Sequence, residues 1–137
     1  MNRKRLEETL KRHEGFSLTP YNDSVGVITI GYGRNLLKGI SKEEAEIMLE
    51  SDIDEAEKEC RDNFAFFEYL NESRQEVICN MVFNLGLTRF LGFKKMIKAF
   101  KKFDYEEASI QMLDSKWANQ VKGRAVELYE QMRTGEY

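Results

Sequence analysis

The chain is poor in the residues that most often carry recognisable chemistry. Among 137 residues there are one histidine, one proline, one tryptophan and two cysteines. A lone histidine, His13, and no Cys/His cluster leave nothing with metal-ligand spacing, so no metal and no cofactor are expected. Cys60 and Cys79 are nineteen positions apart, and each continues an apolar helix stripe. Both read as small buried hydrophobes, and whether they are bridged is open at this level. No Gly-x-Ser-x-Gly motif supports a nucleophilic serine. No apolar run approaches the roughly 18 residues that a membrane span needs, so no membrane insertion is expected. Met1-Asn2-Arg3-Lys4-Arg5-Leu6 is basic but lacks the apolar region of a secretory signal, which predicts synthesis in the cytoplasm. A formal charge of −3 argues against a general nucleic-acid binder.

What is present suffices for a folded protein. Hydrophobic residues make up 42% of the chain and charged residues 33%, enough for a core and a soluble surface. The length suits one domain, or two small lobes sharing a connecting element. Leu6 and Leu10 form an i, i+4 pair in a charged stretch, so residues 3–13 read as an amphipathic helix that Gly15 ends. The texture then turns to strand. Asn22-Asp23-Ser24 is a turn cluster, and Val25-Gly26-Val27-Ile28-Thr29-Ile30 is β-branched, which predicts a short antiparallel ribbon with Asp23 on or beside its turn. Gly31-Tyr32-Gly33 is not a dinucleotide loop, because Leu36 stands where a third glycine is needed and no βαβ unit follows. The two glycines instead allow close turning of the backbone.

From Ser41 onward the pattern is helical. Ser41-x-x-Glu44 reads as a capping box, opening a helix striped by Ala45, Met48, Leu49, Ile53, Ala56 and Cys60. Such a helix, about 42–61, spans roughly 30 Å and can bridge two lobes. Further apolar faces follow at Val77–Leu85, Phe90–Phe100, Ala108–Leu113 and Ala125–Met132. Lys94, Lys95, Lys98, Lys101 and Lys102 make one of these helices locally basic, which reads first as a solvated face.

The chemistry-bearing residues cluster near the start. Glu14 ends the first helix, where the negative pole of the dipole works against a carboxylate's charge. That setting suits an acid that must donate a proton. Asp23 follows on the turn and Thr29 on the strand. Two carboxylates flanking a bound sugar are the minimum for glycoside hydrolysis: one protonates the leaving oxygen, and the other activates water or attacks carbon.

Glu14-x8-Asp23-x5-Thr29 resembles the catalytic signature of the phage-type lysozymes. Asn80-Met81-Val82-Phe83-Asn84-Leu85-Gly86, Gly92-Phe93, Ser115-Lys116-Trp117-Ala118-Asn119-Gln120, and Arg124 followed by Arg133-Thr134-Gly135 extend the likeness along the chain. The resemblance implies an α+β, mostly helical fold. Its small antiparallel β lobe, about 14–40, would join through the long helix to a larger helical lobe, about 63–137 with the helix 3–13, the active-site cleft lying between them. It implies a monomeric muramidase that cuts peptidoglycan between N-acetylmuramic acid and N-acetylglucosamine by an inverting acid/base route, after release from the host cytoplasm to the wall. Glu14 would be the general acid, Asp23 the base or charge stabiliser, and Thr29 the water-positioning hydroxyl. Leu36, Phe83 and Gln111 fall where the family lines its saccharide groove, and Arg124 where it places an arginine near the acid.

The chain also departs from the pattern. The stretch from Arg34 to Ser41 is short, predicting a smaller β lobe. Arg34 replaces a family histidine, and the resemblance points to Asp52 as its ion-pair partner. The rival readings are a catalytically inactive peptidoglycan-binding module of the same fold and a purely helical interaction domain. Intact Glu14, Asp23 and Thr29 argue against the first, and the second would make the motif a coincidence.

Overall fold

Helix formation begins at Asn2, whose side-chain oxygen accepts the Arg5 amide at 3.0 Å and caps the first turn. The computed structural model describes residues 1–137. Helix α1, Arg3–Glu14, ends at Gly15, which takes φ +74° while its N–H bonds the Lys11 carbonyl. Three antiparallel strands follow in the order β1, Ser17–Asn22; β2, Ile28–Gly31; and β3, Arg34–Asn35. In β1–β2 Tyr21 faces Thr29 and Asn22 faces Ile28; in β2–β3 Thr29 faces Asn35 and Ile30 faces Arg34. A 3₁₀ turn, Leu36–Lys38, leads to α2, Lys42–Asn63.

The rest is helical: a 3₁₀ turn at Ala65–Tyr69, then α3 (Glu72–Leu85), α4 (Leu87–Phe90), α5 (Lys94–Lys101), α6 (Tyr105–Leu113), α7 (Lys116–Val121) and α8 (Gly123–Thr134). The expected α+β, mostly helical architecture is therefore the one found. The single apolar face read from Phe90 to Phe100 is instead divided between α4, which ends at Phe90, and α5. Strand β3 with two residues, α4 with four and α7 with six go beyond the sequence reading, each too short to impose a periodic pattern.

Contacts divide the chain into two units, Met1–Ile47 and Met48–Tyr137. The boundary falls inside α2, which runs unbroken through it. The second unit holds the hydrophobic core. Phe67, Val77, Ile78, Met81, Phe90, Phe100, Met112 and Met132 are buried there. Their aromatic rings pack in a chain, with Phe64 5.3 Å from both Phe66 and Phe90 and Phe66 5.2 Å from Phe100. Of the α2 stripe only Ala56 and Cys60 are buried, whereas Met48, Leu49 and Ile53 stay exposed. No helix is long and apolar enough to cross a membrane.

Candidate active site

In the first unit, α1 and the three-stranded sheet carry Glu14, Asp23 and Thr29. Glu14 is the last residue of α1, and the Gly15 turn redirects the chain immediately after it. Its carboxyl group lies against Gly33: a Cβ placed there would come within 2.6 Å of Glu14 Oε2. Gly33 has φ +71°, a left-handed conformation that suits glycine, so its missing side chain serves both backbone and neighbour. The expectation that the Gly-x-Gly pair permits close backbone turning thus acquires a specific object, the acid itself.

Asp23 organises the β1–β2 turn. Its Oδ1 accepts the amides of Val25 at 2.9 Å and Val27 at 2.8 Å, while its own N–H bonds the Val27 carbonyl. This is an aspartate using one oxygen to hold a turn. Oδ2 receives no protein donor among these bonds and is left for other work. Thr29 lies on central strand β2 and is only 4% exposed. Its hydroxyl donates to the Val27 carbonyl at 2.9 Å, which fixes the rotor and leaves the oxygen's lone pairs as acceptors. Val27 therefore links the two residues: its N–H binds Asp23 and its C=O binds Thr29. Leu36 opens the 3₁₀ turn after β3 and is partly exposed.

Arg34 has a different partner from the one the sequence suggested. Its Nη1 lies 2.7 Å from Oε2 of Glu44, in the first turn of α2, and this replaces the expected pairing with Asp52. Glu44 is held in place by the helix start. Ser41 Oγ accepts the Glu44 amide at 3.1 Å and donates to Glu44 Oε1 at 3.3 Å. The capping motif thus delivers a carboxylate to β3, and the bond from Arg34 holds the Glu44 carboxyl below its ordinary pKa.

In the second unit, Phe83 and Arg124 line one pocket of about 330 Å³ with Leu49, Ile53, Ala56, Glu76, Cys79 and Asn80. Arg124, near the start of α8, is anchored by α3: its Nε and Nη2 donate to Asn80 Oδ1 at 2.9 and 2.6 Å. The guanidinium is thus oriented, although half-buried. Gln111 lines a separate groove of about 680 Å³ with Phe93, Trp117, Arg89 and several lysines, and it donates to Glu107 Oε1 at 2.8 Å. The Trp117 indole N–H, donating to Asn84 Oδ1 at 2.8 Å, fixes the wall of that groove. Asn80 and Asn84 lie within the quoted Asn80–Gly86 segment, but their anchoring roles carry no sequence signal beyond that. No three His, Cys, Asp or Glu side chains lie together as metal ligands would.

Comparisons with known proteins agree along almost the whole chain. The phage lysozyme family model matches residues 11–136. An endolysin of Acyrthosiphon pisum secondary endosymbiont phage 1 is 32% identical, over 87% of this chain and 82% of its own length. Probable T4-type lysozyme 2 of Dictyostelium discoideum is 28% identical, over 95% of this chain and 94% of its own. The pre-baseplate central spike protein Gp5 of Enterobacteria phage T4 is 28% identical over 88% of this chain, which spans only 26% of that much longer protein. The matched region runs from the last turn of α1, with Glu14, to the end of α8, and the chain belongs to the phage lysozyme family.

Proposed function

We propose that this protein is a muramidase that hydrolyses the β-1,4 bond between N-acetylmuramic acid and N-acetylglucosamine in bacterial peptidoglycan. The observation that carries the reading is the Glu14–Asp23–Thr29 set on one small unit. The acid rests on a side-chain-free Gly33, and the second carboxylate has one oxygen uncommitted. Membership of the phage lysozyme family supports it. The units are the two lobes of one lysozyme-like domain, with α2 as connecting helix, acting as a monomer on the cell wall.

In this mechanism Glu14 protonates the bridging oxygen as positive charge develops on the sugar ring. Asp23, through Oδ2, stabilises that charge and takes the proton of an attacking water, while the Thr29 oxygen accepts the water's other hydrogen. Attack from the face opposite the leaving group inverts the anomeric centre. Leu36, Phe83, Gln111 and Arg124 are the proposed saccharide contacts. Phe83 offers an apolar face, Gln111 an amide for sugar polar groups, and Arg124 a fixed cation.

Mass spectrometry of digested peptidoglycan tests the bond cleaved. Muropeptides with reducing N-acetylmuramic acid are expected. Anhydro sugars would identify a lytic transglycosylase, and intact glycan with freed peptides an amidase. Either result defeats the proposal. Proton NMR of the first product, before mutarotation, tests the stereochemistry: the α anomer is expected, and a predominant β anomer would mean retention through a covalent intermediate.

A further inference from the structure

Cys60 and Cys79 meet inside the second unit. Cys60, on α2, is 0% exposed, whereas Cys79, on α3, is only partly buried and lines the 330 Å³ pocket. Both thiols are free, and their sulfur atoms are 3.9 Å apart. A buried thiol and an accessible one in van der Waals contact form an asymmetric pair: one can be reached from solvent, and the other can be reached only by its partner. Nothing in the proposed glycosidase chemistry uses either.

We propose that Cys79 and Cys60 form an intramolecular thiol–disulfide exchange site, oxidised to a disulfide by small organic disulfides that enter the pocket beside Cys79. Cys79, as the thiolate, attacks one sulfur of the incoming disulfide. That S–S bond breaks, a mixed disulfide forms on Cys79, and one small thiolate leaves. Cys60 then loses its proton to the released thiolate and attacks the Cys79 sulfur, expelling the second small thiolate. Two protein thiols are oxidised and one small disulfide is reduced to two thiols, so electrons and protons balance. The order follows from access, because Cys60 is sealed in the core. It also follows from electrostatics: the contact with Cys60 lowers the Cys79 thiol, while that same contact and burial push Cys60 up. The bridge ties α3 to α2 next to Asn80, the anchor of Arg124.

The test uses the whole folded protein and glutathione disulfide. Treated wild-type protein should lose both titratable thiols on subsequent unfolding, become lighter by two hydrogens and remain a monomer on a non-reducing gel. Its Tm should rise on the order of 10 °C over the reduced form, as expected for closing a loop of about this length. Cys60→Ala should instead stop at one glutathione adduct on Cys79, and Cys79→Ala should leave Cys60 unmodified while folded. The wild-type result decides the matter even where a variant at the buried position fails to fold. Two thiols still titratable, a persistent adduct on wild-type Cys79, a disulfide-linked dimer, or an oxidised form with unchanged Tm would each overturn the proposal.

Discussion

The carboxyl group of Glu14 lies directly on Gly33, close enough that an added Cβ would sit 2.6 Å from Oε2 and 3.0 Å from the glutamate Cβ and Cδ. Gly33→Ala must therefore displace the proposed acid as well as strain the backbone at φ +71°. Strain alone costs roughly 1–2 kcal/mol for a residue with a Cβ. Gly31 is the control: it has φ +65° and nothing within 4 Å of an added Cβ. Both alanine variants should lose similar stability by chemical denaturation. Only Gly33→Ala should also lose lytic activity by about 10²-fold, the scale expected for a misplaced catalytic group. Equal activity losses in the two variants would refute the steric account.

Glu14→Gln tests the acid more directly. The amide preserves size but cannot donate a carboxyl proton, and the side chain makes no protein hydrogen bond that folding would miss. Turbidity clearing of permeabilised bacteria should slow by at least ~10²-fold at unchanged Tm. Lysis at the parental rate by folded mutant protein would remove Glu14 from the mechanism.

Asp23 carries two roles that separate by substitution. Asp23→Asn keeps an oxygen able to accept the Val25 and Val27 amides, so the turn should persist while the charge is lost. Activity should fall sharply with little change in stability. Asp23→Ala removes the acceptor too and should cost stability as well, about 1–3 kcal/mol for stranded amide donors. Near-normal lysis by Asp23→Asn would mean that another group orients the water.

The Arg34–Glu44 pair predicts a pH dependence whose sign is set by the depressed Glu44 carboxyl. A carboxylate held below its unfolded pKa, about 4.3, stabilises the fold above that pH. The contribution is lost as pH falls through the lower, folded value. Wild-type Tm should therefore exceed that of Arg34→Gln at neutral pH, and the gap should narrow on acidification below about pH 4. It should stay flat from pH 6 to 8, well above the range in which the lowered Glu44 carboxyl changes charge. A gap that widens in acid would contradict the pairing.

Asn80→Ala should show what holds Arg124. Without Oδ1 the guanidinium loses its hydrogen bonds from Nε and Nη2 to that atom, and urea unfolding should report a loss of about 1–3 kcal/mol. If Arg124 contacts saccharide, KM should rise more than kcat falls. Unchanged stability would mean the pair is not formed in solution.

The fold class, the helix from Ser41, the break at Gly15 and the positions of Glu14, Asp23 and Thr29 were all legible in the chain. Each rests on short-range physics: helical periodicity, glycine's access to positive φ, turn chemistry and β-branching act between residues a few positions apart. Partnerships between distant residues were not legible. That Arg34 would find Glu44 rather than Asp52 depends on how β3 meets the first turn of α2. That Asn80 would hold Arg124, or that Cys79 would touch Cys60, depends on which faces of α2, α3 and α8 pack together. Even the clearest signal, the Gly-x-Gly pair, showed only that the backbone would turn closely. Tertiary structure decided that it would turn beneath Glu14, because only the folded chain sets what fills the space a glycine leaves empty.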